Sequence, residues 1–164
     1  MKFFLRGILA STALCALAQA NAATTPNSVV SPQTPNRGIV QFLQGTDAPL
    51  TFKTIYTAGA NGSRCYGMTS NNSDGSVGHS LITTVTNGGI NYGGAAITTT
   101  TNAGLVAANP PQAMLTPAVW PGLAVDTYGN PYIQLISGDT LRAEYATALT
   151  AAAAINIIVT CNDF

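Results

Sequence analysis

The sequence predicts an all-β chain: a two-sheet antiparallel β-sandwich, jelly-roll or Ig-like, of about eight short strands. Three observations point there. Short runs rich in Thr, Val, Ile and Tyr recur between Gly38 and Cys161, and these residue types suit a pleated, half-buried surface. Turn formers separate the runs, notably Asn87-Gly88-Gly89, Gly129-Asn130-Pro131 and Ser137-Gly138-Asp139. Helix has little foothold: the alanine-rich Ala148–Ala154 favours it by propensity, but strand patterns flank it, and it reads as loop or weak strand.

Taken in order, the chain opens on a separate object. Lys2 and Arg6 form a basic start, Gly7–Leu17 is apolar, and Ala18-Gln19-Ala20 and Ala20-Asn21-Ala22 both offer the small-x-small pattern of a signal peptidase site, the second being favoured. Residues 1–22 are therefore expected to be a signal peptide, cleaved after Ala22. Its apolar run is shorter than the ~20 residues a spanning helix needs. Cys15 leaves with it, since the bulky Leu14 before it is unlike a lipoprotein site. Residues 23–37 carry three prolines among small polar residues and read as a flexible leader. The remainder, 38–164, is one domain.

Gly38–Gln44 is the first expected strand. Thr51–Met68 follows as strand, turn and strand, with Ala58-Gly59-Ala60-Asn61-Gly62 supplying the reversal. Leu81, Thr83 and Val85 share one face of the next strand. Asn87-Gly88-Gly89 turns it into Ile90–Thr101, where Gly93-Gly94 marks a bulge or a close approach. Asn102–Gln112 is loop, Ala113–Leu115 suits one helical turn, and the proline-bounded segment around Trp120 reads as a lid over one end. Two more strands, Tyr132–Ile136 and Thr140–Ala146, lead to a closing strand with Ile155, Ile157, Val159 and Cys161 on one face by the two-residue period.

Composition excludes several classes. Only 7% of residues are charged, against about 25% on average. Once 1–22 are removed, four basic residues remain against six acidic ones. No basic cluster can steer the chain to nucleic acid or anionic lipid, and no stable membrane insertion is expected after cleavage. Export and the two remaining cysteines predict a Cys65–Cys161 disulfide, the alternatives being buried thiols or a bridge between molecules.

Residues for catalysis are sparse. His79 is the one histidine, and a triad needs a base with an orienting carboxylate. Asp74 is near in sequence but in a loop, so His79 is expected at the surface end of a strand. Arg142 and Glu144 share a strand face and read as a solvent-facing ion pair. The loops holding Asp126 and Asp74 fit turn chemistry as well as calcium. No catalytic set, metal site or cofactor is assigned, and the chain is expected not to be an enzyme. The candidate contact surface is aromatic, drawn from Tyr66, Tyr92, Tyr128, Tyr132, Tyr145 and Trp120, with Trp120, Tyr128 and Tyr132 singled out; Tyr and Trp are favoured at interfaces.

Thr51–Arg64, the strand pair Leu81–Thr98 with its Asn87-Gly88-Gly89 turn, Pro121–Tyr132, and Gly138–Arg142 with a terminal strand ending Asp163-Phe164 resemble small phage and prophage β-sandwich proteins. The resemblance covers nearly all of the chain after Thr51. It implies a virion-type accessory or surface-decoration role without enzymatic activity. The export signal and the two cysteines depart from that pattern, as in a phage-like sandwich adapted to the periplasm or cell surface. The leading expectation is a non-enzymatic exported protein acting by self-association or contact with a protein partner. A pilin- or adhesin-like subunit, or a carbohydrate-binding module contacting glycan, is the alternative.

Overall fold

Ten strands form among the described residues, which in this computed structural model are 34–99, 111–150 and 152–164. The expected signal peptide, its cleavage site and Cys15, the leader as far as Gln33, most of the expected loop 102–112, and Ala151 lie outside them. The strands are β1 (Thr34–Leu43), β2 (Lys53–Thr57), β3 (Ser63–Asn72), β4 (Ser80–Asn87), β5 (Ile90–Thr98), β6 (Gln112–Ala113), β7 (Ala124–Val125), β8 (Pro131–Leu135), β9 (Thr140–Tyr145) and β10 (Ala154–Asp163). Two of them, β6 and β7, are only two residues long, which takes the number past the expected eight.

The strands make two antiparallel sheets. The larger runs β1-β10-β3-β8-β7, with β6 also on β3; the smaller runs β2-β9-β4-β5. Their inner faces meet in one core. β10 turns Ile155, Ile157, Val159 and Cys161 inward, all fully buried. The smaller sheet answers with Leu81, Val85, Leu141 and Ala143. Between the layers the rings of Phe42 on β1 and Tyr145 on β9 lie 5.1 Å apart. The period-two alternation read from the sequence is the one the core uses.

Three irregularities shape the sheets. Opposite β10, Cys65 pairs with Cys161 and Gly67 with Thr160, leaving Tyr66 as the extra residue of a bulge. That extra residue lets both Cys65 and Met68 face the core. On β2, Ile55 is the extra residue opposite β9, and both Ile55 and Tyr56 are buried as a result. On β5 the extra residue is Tyr92, just before the expected Gly93-Gly94 point.

Cys65 and Cys161 are joined by a disulfide, and they are direct neighbours in the larger sheet, with Cα atoms 3.9 Å apart. The bridge thus binds β3 to β10 within one layer. Close by, the Asp163 carboxylate accepts hydrogen bonds from Tyr56 Oη, from Ser63 Oγ at 2.5 Å and from Asn36 Nδ2 at 3.1 Å. This clamp ties β10 to β1, β2 and β3. Burial pushes the Asp163 carboxyl up, but the bonds from Ser63, Tyr56 and Asn36 outweigh it and hold it below its ordinary value. The same closeness raises the Tyr56 phenol, through burial first and then Asp163.

Some expectations are corrected. Strand pairing begins at Thr34, inside the segment whose prolines suggested a leader; β1 is an edge strand, where Pro35 is tolerated. No helical turn forms at Ala113–Leu115: Gln112 and Ala113 pair with Ser70 and Thr69 instead. The segment after it makes a turn, with Trp120 N donating to Thr116 O at 2.7 Å. Gly38 is needed for close approach of β1 to β2, because a Cβ there would lie 2.2 Å from Ile55 O.

Candidate functional site

The outer face of the larger sheet carries a cluster built by alternation. Cys65 on β3 and Ile133 on β8 are register partners and point inward. Their neighbours Arg64, Tyr66, Tyr132 and Gln134 therefore point outward, half-buried or exposed. The Tyr66 and Tyr132 rings lie 5.7 Å apart at 44°. The Arg64 guanidinium sits 4.9 Å from the Tyr132 ring centroid and 5.3 Å from that of Phe164. Its Nε donates to Gln134 Oε1 at 3.0 Å. A guanidinium held between two rings is positioned before any partner arrives, so little side-chain entropy is lost on contact.

The three aromatics picked from the sequence are not brought together. Tyr132 belongs to this cluster. Tyr128, 89% exposed, stands on the β7–β8 turn. Trp120 is only 7% exposed and packs in the core. Its prolines bound a turn rather than a lid, and that turn drops the indole inward, so it offers no contact face. Tyr66, one of the tyrosines named from the sequence, does join Tyr132; sequence reasoning missed Arg64 and Phe164 as their companions. The period-two spacing of Arg64 and Tyr66 was the available signal; the pairing of β3 with β8 was not visible.

The aspartates serve the fold. Asp126 accepts from Tyr128 N, Asn130 N and Asn130 Nδ2, bonds that hold its carboxyl below the usual value, those from Asn130 foremost. Asp139 accepts from Ile136 N and Asn87 Nδ2, closing its own hairpin turn. Asp47 pairs with Lys53 at 2.6 Å, and the Lys53 hydrogen bond leads the causes that lower its carboxyl. The expected Arg142–Glu144 pair does not form. Arg142 lies over the Phe52 ring at 5.2 Å and donates to Phe52 O at 3.4 Å, with its buried Nε left without a partner.

His79 is not at the surface: it is fully buried, and so is Asp74. His79 Nε2 lies 2.9 Å from Asp74 Oδ2, and Nδ1 lies 2.9 Å from Thr147 Oγ1 and 3.0 Å from Thr147 O. Asp74 also accepts from Ser76 N and Val77 N at Oδ1 and from Thr150 N at Oδ2. Burial pushes its carboxyl up, but the bonds from His79, Thr150 and Ser76 prevail and hold it far below the ordinary range. The loop after β3 is thereby fastened to the loop after β9.

No protein-family model and no curated protein sequence matches the chain. Among solved structures it is similar to a chain of the cyanophage Pam1 capsid asymmetric unit, at 15% identity over 80% of this chain and 84% of that one, with a TM-score of 0.44.

Proposed function

We propose that this is a non-enzymatic, exported structural or surface-interaction protein of phage-like β-sandwich type, working by self-association or contact with a protein partner. The contact face is the Arg64–Tyr66–Tyr132–Phe164 cluster. One observation carries the reading: a guanidinium already stacked on aromatic rings, on an outer sheet face of a chain nearly without charge. Arg and Tyr are the residue types that dominate binding hot spots. Export is supported by the sequence pattern of 1–22 and by a disulfide suited to an oxidising compartment. The aromatic face would also suit a glycan. The pilin-like alternative has less support, because β10 already lies between β1 and β3.

The test is light scattering on the mature chain, residues 23–164, beside Tyr66→Ser/Tyr132→Ser. The expected result is an assembly whose mass falls to that of a monomer in the variant. A wild-type monomer at millimolar concentration would remove self-association, and failure to cross-link any protein through this face in its native compartment would remove the reading altogether.

A further inference from the structure

We propose that Thr147 is an acyl-acceptor site, whose hydroxyl takes an acyl group from an activated ester in a single covalent event. Asp74, His79 and Thr147 form a carboxylate–imidazole–hydroxyl series with 2.9 Å at each link. His79 and Asp74 are sealed from solvent, whereas Thr147 is exposed. A nucleophile at the surface, a base behind it and a carboxylate behind the base is the arrangement that activates a hydroxyl. The chain has one histidine, so no other hydroxyl has this support.

The hydrogen bonds define the proton's route. The Asp74 carboxylate can only accept, so it takes the hydrogen on His79 Nε2; the tautomer with hydrogen at Nε2 alone, which carries a lone pair on Nδ1, is the reactive one. That lone pair faces the Thr147 hydroxyl. As Oγ1 attacks the ester carbonyl, its proton passes to Nδ1. The new Nδ1–H then has Thr147 O, 3.0 Å away, as an acceptor. The C–O bond to the leaving alkoxide breaks, the proton passes from Nδ1 to that alkoxide, and an alcohol departs. Thr147 keeps the acyl group as an ester, and no electrons are gained or lost. Both loops are pinned, by Thr150 N on Asp74 and Ala146 N on Ser80 O, so the hydroxyl is held in place. General-base assistance contributes about 10²–10⁴-fold, which suits stoichiometric labelling rather than turnover.

The probe is p-nitrophenyl acetate on the folded mature chain, with the released nitrophenolate counted and the acetylated peptide located by mass spectrometry. The expected result is one acetyl group on the peptide containing Thr147. Thr147→Val, a same-shape change at an exposed position, should lower labelling there at least tenfold, and Thr147→Ser should restore it. Asp74→Asn, compared at equal folded fraction, should slow labelling at least tenfold and remove the Nε2–H tautomer from the nitrogen NMR spectrum of His79. Equal labelling in Thr147→Val, label confined to Lys53 or the amino terminus, or no label in wild type would each overturn the proposal.

Discussion

Replacing both bridged cysteines, Cys65→Ala with Cys161→Ala, should remove a large share of the domain's stability while leaving its fold intact. The bridge spans 96 residues of sequence. In the chain-entropy treatment a loop near that length restricts the unfolded ensemble by about 4.7 kcal/mol. The folded state should hardly notice the change, because β3 and β10 are already paired along nine register positions. The two sulfurs are fully buried, so their removal leaves small voids that add to the loss. Set against a usual total of about 5–15 kcal/mol, a loss of about 3–5 kcal/mol is severe. Urea unfolding followed by circular dichroism reads it directly. The midpoint should fall, and the slope should steepen, because an uncrosslinked unfolded chain exposes more surface. A difference below about 1 kcal/mol, outside the usual range for a bridge closing so long a loop, would refute the reasoning.

Other perturbations follow from the same geometry. Asp163→Asn weakens the clamp on Tyr56, Ser63 and Asn36 and should cost about 1.5–3 kcal/mol, the range for hydrogen bonds to a charged group, read by the same urea curves. Asp74 and Asp163 both titrate lower in the folded chain than in the unfolded one. Their contribution is therefore complete above the unfolded carboxyl value of about 3.9 and is lost as pH falls toward their folded values; an acid titration of stability should show that slope, shallower in Asp163→Asn. Trp120→Ala should cost about 3–5 kcal/mol as a core truncation, and wild-type Trp120 fluorescence should be blue-shifted and shielded from acrylamide. Gly38→Ala meets the Ile55 carbonyl rather than a movable side chain and should cost about 1–3 kcal/mol or more, measured by thermal melting.

The layers and the core were legible in the sequence because alternation and turn chemistry are local. Ile155, Ile157, Val159 and Cys161 were readable as one face without knowing what they face. What stayed hidden depends on strand neighbours. The bulge that places Tyr66 outside exists only in the register of β3 against β10. The Arg64–Tyr132 contact needs β8 beside β3, across some seventy residues of chain. Trp120 was misread because its prolines forbid a regular element but do not say which way a turn points. His79 was misread for the opposite reason: a loop carboxylate five residues away looked mobile, yet backbone amides and Thr150 from a distant loop hold it in place.

The central claim is that contact runs through the outer face of the larger sheet around Arg64, Tyr66 and Tyr132. Amide hydrogen exchange by mass spectrometry, on mature protein at dilute and concentrated conditions and with a cross-linked native partner, tests it most directly. Added protection confined to Ser63–Gly67 and Tyr128–Leu135 is the result predicted. Protection elsewhere, along β5 or β2, with those two segments unchanged, would contradict it.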